Sequence, residues 1–75
     1  MKRYLNKEGG SGVTGYESAP GSIMVEFNND AVYLYTYHST GKKVIEKMKV
    51  LAQAGRGLST YISRNVRDNF EKKVR

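Results

Sequence analysis

The sequence predicts an α+β domain, a three-stranded antiparallel meander followed by two helices packed on one face of it. Three observations lead there. Apolar and polar residues alternate through "SIMVEF" (22–27) and "AVYLYTYH" (31–38), the period of a strand with one buried face. The period then changes, with Val44, Ile45, Met48, Leu51 and Ala52 at helical spacing and Ile62, Val66 and Phe70 repeating it. Turn residues stand at the joints, and every strand precedes every helix.

Taken in order, residues 1 to 10 read as a flexible lead-in. The stretch "NKEGGSG" (6–12) joins paired glycines to Asn and Ser and offers nothing to bury. The folded domain is then 11–75. Its first two strands, "VTGYES" and "SIMVEF", are joined by "APG", where Pro20 presets φ and Gly21 supplies φ > 0 for a type II turn. That turn places Tyr16 opposite Val25 and Ser18 opposite Ile23. After "NND" comes the tyrosine strand. The first helix ends at "AGRG", with Gly55 or Gly57 free to adopt the left-handed conformation of a helix C-terminus. A second helix starts at Ser59, a good N-cap, with Arg64, Arg67, Asp68, Glu71 and Lys72 off its apolar side.

The loop "NND" leaves two registers open, and a one-residue slip turns every side chain over. If Asn29 and Asp30 form a two-residue turn, Phe27 opposes Val32, and Tyr33, Tyr35 and Tyr37 line the outer face as a stacking platform for unpaired bases. If all three residues form the loop, Val25 opposes Tyr33 and Ile23 opposes Tyr35. The tyrosines then point inward, and Met24, Val32 and Leu34 form an apolar trio on the far face, a candidate interface for a protein partner or a homodimer.

Size and charge narrow the function classes. A chain of 75 residues is one domain with a small core and no cleft between domains. It has no cysteine, so neither a disulfide frame nor a thiolate metal site is available, and an intracellular setting is expected. No apolar run reaches the roughly 18 residues of a membrane span, and "MKRYLNKEGGSG" lacks the apolar region of a signal peptide. The expected setting is cytoplasmic, with no membrane partner. The net charge of +6 is unevenly spread: residues 1–40 carry three basic and four acidic side chains, residues 41–75 ten basic and three acidic, a balance of +7. Such asymmetry favours polyanions or acidic proteins as partners. A solvated basic helix face that keeps a small domain in solution is the competing explanation.

Catalytic chemistry is not indicated. Hydrolysis requires a nucleophile, a base and an orienting group, and the chain has one histidine, His38, placed as a surface residue. No metal-ligand spacing is present and no cofactor is expected. In "GRGLST" (55–60), Gly57, Ser59 and Thr60 beside Arg56 form a candidate helix N-terminal anion site, against the simpler reading of a tight interhelical turn capped by Ser59. The basic set Lys42, Lys43, Lys47, Lys49, Arg56, Arg64, Arg67, Lys72, Lys73 and Arg75 contains no base-reading motif, so nucleic acid would be held mostly by its phosphates.

The motifs "TGYES", "SIMVEF", "VYLY" and "GRGLSTYI" together resemble the KTSC domain, a small module at the C-terminus of some lysyl-tRNA synthetases and also a stand-alone bacterial or phage protein. The resemblance covers residues 14 to about 70 through Gly15, Tyr16, Glu17, Ile23, Val25, Phe27, Asn29, Tyr33, Tyr35, Gly55, Leu58 and Ile62. Asp30 stands where the family has a turn glycine and Ser59 where it has asparagine, and residues 36–43 lack its Val-Pro. The resemblance implies that the tyrosines face inward. The expected function is a non-enzymatic basic binding module contacting nucleic acid, or a nucleic-acid-handling protein, through its helical half. The alternative is a protein-interaction module using the open sheet face, such as a phage-encoded inhibitor of a host or defence protein, acting in the host cytoplasm.

Overall fold

The computed structural model describes residues 1–7 and 9–75. Among these residues the chain forms β1 (Lys2–Arg3), β2 (Val13–Ala19), β3 (Ser22–Phe27), β4 (Ala31–Thr36), α1 (Tyr37–Thr40), α2 (Lys42–Ala54), α3 (Leu58–Tyr61), a π-helical turn (Ile62–Val66) and β5 (Lys72–Lys73). The α+β class holds. The sheet has five antiparallel strands in the order β1-β2-β3-β4-β5, where three are expected from the sequence. The two additional strands are two-residue pieces at either end of the chain, too short to show a period of two. They exist because the neighbouring strands β2 and β4 offer unpaired backbone groups along their outer edges.

The lead-in accordingly differs from its expected character. Lys2 pairs with Tyr16 and Arg3 with Gly15, and Tyr4 is 3% exposed within the core. An amphipathic tyrosine in an otherwise polar stretch finds apolar neighbours on one side and a polar partner for its hydroxyl, and its burial anchors the segment. Glu8, part of the same expected flexible stretch, lies outside the described residues.

The meander follows the three-residue register. Phe27 pairs with Ala31 across Asn28, Asn29 and Asp30, so Val25 faces Tyr33 and Ile23 faces Tyr35. Asn28 and Asn29 both adopt left-handed φ (56° and 55°), a conformation asparagine tolerates better than most residues, and this closes the loop without a glycine. At the other hairpin Tyr16 faces Val25 and Ser18 faces Ile23, with Gly21 at φ 76°. A bulge at Thr14 shifts the register between Val13 and Gly15 and turns Val13 into the core.

Tyr37 does not continue the tyrosine strand as its spacing predicts. Thr36 and Ser39 form a reciprocal capping box, the Thr36 side chain accepting from the Ser39 N–H and the Ser39 side chain from the Thr36 N–H, which starts α1 at Tyr37. Gly41 at φ 100° then separates α1 from α2. One core results, with Tyr16, Ile23, Val25 and Tyr35 of the sheet facing Ile45, Met48 and Ala52 of α2 and Leu58, Ile62 and Val66 of the last helix.

The last helix also differs from expectation. Its cap is Gly57 at φ 80°, with no side-chain cap, and Ser59 lies inside the first turn. The free N–H at the start of the helix, that of Leu58, donates to the Tyr4 hydroxyl at 3.2 Å in the interior, and Tyr61 N–H donates to the Gly57 carbonyl at 3.0 Å. The helix stops at Val66 instead of running through Phe70 and Lys72. Arg67 takes φ 52° and ψ −120°, and the chain turns at Arg67–Asp68, where Asn69 N–H donates to the Val66 carbonyl at 3.0 Å, before it lays Phe70 on Tyr33 and pairs residues 72–73 with β4.

Candidate functional site

The expected basic set does not form one surface. Lys42, Lys43 and Lys47 are exposed on α2, and Lys43 and Lys47 stand one helical turn apart. Arg64 and Arg67 are exposed at the end of the last helix, and Arg56 is exposed in the turn between the helices. Among the described residues none of these six side chains has an acidic partner within 4.0 Å.

The remaining members of the set are placed otherwise. Lys49 donates to the Ala19 carbonyl at 2.7 Å and pairs with Glu46 at 3.4 Å, and its side chain is only 17% exposed. It ties α2 to the β2–β3 turn and is not available to a partner. Lys72 pairs in register with Leu34 while Lys73 pairs with Tyr33, and directly opposed residues share a sheet face. Lys72 therefore stands on the face away from the helices. Lys73, its neighbour in the basic set, stands on the helix side with its Nζ 6.0 Å from the Tyr33 ring centroid.

Around Glu46 a small polar cluster is closed rather than open to ligands. The Tyr37 hydroxyl donates to Glu46 Oε2 at 2.6 Å. This bond, helped by Lys49, holds the Glu46 carboxyl below its ordinary value, and the same bond pushes the Tyr37 hydroxyl up. Its effect is to fasten α1 to α2.

The far sheet face is more covered than the three-residue register alone suggests. Met24 and Leu34 oppose each other and are half-buried, as expected of that face, but Val32 is 3% exposed. The C-terminal residues account for it. Val74 N–H donates to the Val32 carbonyl at 2.7 Å, Val32 N–H donates to the Arg75 carbonyl at 3.2 Å, and the Arg75 guanidinium reaches across β4 to Glu26 Oε2 at 2.8 Å. Glu26 is the residue opposite Val32, so the Arg75 side chain, whose Nε donates to the Asp30 carbonyl at 2.9 Å, lies along the strand beside Val32. The apolar trio is thus reduced to a Met24–Leu34 pair bordered by Glu17 and Lys72.

Gly57, Ser59 and Thr60 do come together with Arg56. They line a polar cleft of about 110 Å³ with Asn6, Gly9, Gly10 and Ser11 from the lead-in. The α-helical part behind it is four residues long, and the Leu58 N–H already has the Tyr4 hydroxyl as acceptor, so the anion site loses its best-placed donor. The signal for Tyr4 is its being the one aromatic side chain among residues 1–12 of the sequence.

A second cleft, of about 430 Å³, lies where the β3–β4 loop meets the chain leaving the last helix. Tyr33, Tyr35, Phe27 and Phe70 line it, with Arg67 and Asp68 beside them. Phe27 meets Tyr33 edge-on at 5.8 Å between centroids, and Phe70 meets Tyr33 at 4.6 Å and Tyr35 at 6.3 Å. No local pattern announces it, since its rings come from positions 27, 33, 35 and 70. Among the described residues, no group of three His, Cys, Asp or Glu side chains could hold a metal, and no helix is long and apolar enough to cross a membrane. Compared with known proteins, the chain matches no family model, no curated protein and no solved structure.

Proposed function

We propose that this chain is a non-enzymatic basic module of the KTSC type that binds nucleic acid, mainly through phosphates, using α2 and the end of the last helix. The observation that carries the reading is that six cations of the helical half, Lys42, Lys43, Lys47, Arg56, Arg64 and Arg67, are exposed and none is neutralised by a described neighbour. Cations fixed on short helices beside a packed core present charge at little ordering cost, and counterion release from a polyanion supplies the binding free energy. The resemblance supports the module reading, and the electrostatic asymmetry supports the choice of partner.

The protein-interaction alternative, a homodimer or an inhibitor of a host or defence protein, rests on the Met24–Leu34 pair. With Val32 covered, that patch is small for a stable interface. It takes second place.

A salt titration tests the proposal. Affinity for duplex should fall with a log–log slope of about −0.9 for each phosphate neutralised, and for a single strand about −0.7. Lys47→Glu with Arg64→Glu should weaken binding and flatten that slope while leaving the fold intact. Failure to bind any nucleic acid at low salt, or binding that ignores both salt and the double variant, would overturn the reading.

A further inference from the structure

The aromatic cleft between the β3–β4 loop and the C-terminal segment has features that a structural filler does not require. Phe27, Tyr33 and Phe70 are only half-buried there, so ring surface stays open to solvent in a chain with two phenylalanines in all. Its volume of about 430 Å³ falls within the roughly 300–1,000 Å³ usual for small-ligand sites.

The backbone at its rim is distorted. The last helix widens into a π turn at Ile62–Val66, and Arg67 follows at φ 52° and ψ −120°, a conformation that costs a non-glycine residue free energy. The distortion carries the chain past the cleft and brings Arg67 and Asp68 to its edge. A regular helix continued through residue 70 would not release Phe70 onto Tyr33 and Tyr35.

Charge narrows the occupant. Arg67 lines the cleft and the Lys73 ammonium stands 6.0 Å from the Tyr33 centroid, so two cations accompany the rings. Asp68 adds one acceptor beside them. Open aromatic surface flanked by cations is the arrangement that receives an unpaired base and its phosphate, and a carboxylate suits an exocyclic amino group. We infer that this cleft takes one unpaired nucleobase of a single-stranded nucleic acid, the base against Tyr33 and Phe70 and the adjoining phosphate against Arg67. The inference rests on the nucleic-acid reading and adds to it a preference for bases over bare backbone.

The test compares two fluorescently labelled strands of equal length, one a short oligonucleotide of mixed sequence and the other abasic throughout its centre, so that phosphate number is the same. Anisotropy at low salt should show the base-bearing strand binding about tenfold tighter or more, the scale of base–aromatic stacking. The chain has no tryptophan, so quenching of its intrinsic fluorescence reports on tyrosine, and only the base-bearing strand should quench it. Tyr33→Leu, which keeps an apolar contact for Phe70, should erase the difference between the strands, with circular dichroism confirming the fold. If that variant does not fold, the two-strand comparison on the unaltered protein still decides. Equal affinity for both strands would overturn the base site and leave the phosphate reading standing. Binding of neither would overturn both.

Discussion

Phe70 meets the edge of Tyr33 with ring centroids 4.6 Å apart, joining the last extended segment of the chain to the middle of β4. The contact goes with the early end of the last helix, because Phe70 reaches the sheet after the turn at Arg67–Asp68. It also makes the C-terminal segment part of the fold. Phe70→Ala should therefore destabilise the protein by about 2 kcal/mol, less than the 3–5 kcal/mol typical of fully buried rings because Phe70 is half-buried. Urea denaturation would measure it, and a cost near zero would mean that the Phe70 ring contributes nothing to stability.

Val32 and Leu34 point to the same sheet face but should respond differently to charge. Val32→Asp places a carboxylate beneath the Arg75 arm at a position 3% exposed, and a loss of about 3 kcal/mol or more is expected. Leu34→Asp, at a half-buried position opposite Met24 and beside Lys72, should cost about 1 kcal/mol. Thermal melts of the two variants would distinguish them, and equal losses would show that the C-terminal arm leaves Val32 open.

Gly55 ends α2 at φ 77°, and a Cβ there would stand 2.7 Å from the Leu5 Cβ. Gly57 has a similar φ of 80°, yet its nearest neighbour would be a Leu51 methyl at 3.6 Å. Both alanine variants bear the left-handed penalty of about 1 kcal/mol. Gly55→Ala alone must also displace the lead-in and strain the 2.7 Å bond from Lys7 N–H to the Gly55 carbonyl, adding about 1–2 kcal/mol. Hydrogen exchange at the Lys7 amide should accelerate in Gly55→Ala and hold steady in Gly57→Ala.

Burial, with a smaller effect from Tyr33, pushes the Tyr35 hydroxyl from 10.0 to about 12. The unfolded chain releases that proton first, so the folded state holds more protons through the window and loses stability as pH rises. The contribution of neutral Tyr35 is fully present below pH 10 and disappears on approach to 12. Tyr35→Phe, which loses no hydrogen bond among the described residues, should leave stability near pH 7 within about 1 kcal/mol and make its alkaline decline shallower. Denaturation midpoints across that range are the measurement, and an unchanged decline would mean that other groups govern it.

Much of the fold was legible because its signals are local. Alternation in residues 22–27, helical spacing in residues 44–52 and the Pro20–Gly21 turn each depend on neighbours within one turn or one strand, and each element forms where these predict. The departures have non-local causes. Tyr4 reads as part of a polar lead-in until Leu58, more than fifty residues away, supplies the N–H its hydroxyl accepts. Ser59 reads as a cap by residue type, yet Gly57 already turns the chain. Lys49 and Lys72 read as free cations, and tertiary placement sends one to the Ala19 carbonyl and the other to the opposite sheet face.

The candidate site divides in the same way. Sequence alone determined the charge imbalance, the absence of cysteine, the α+β order and the residues able to form strands and helices, because composition and short-range periodicity are properties of the chain before it folds. Only the tertiary structure decided which face the tyrosines occupy, that the C-terminal arm covers Val32, and that four rings from distant positions meet beside Arg67. The reason is that register, strand addition at an edge and the exit path of a helix are selected by the whole core at once, where a shift of one residue exchanges a buried face for an exposed one.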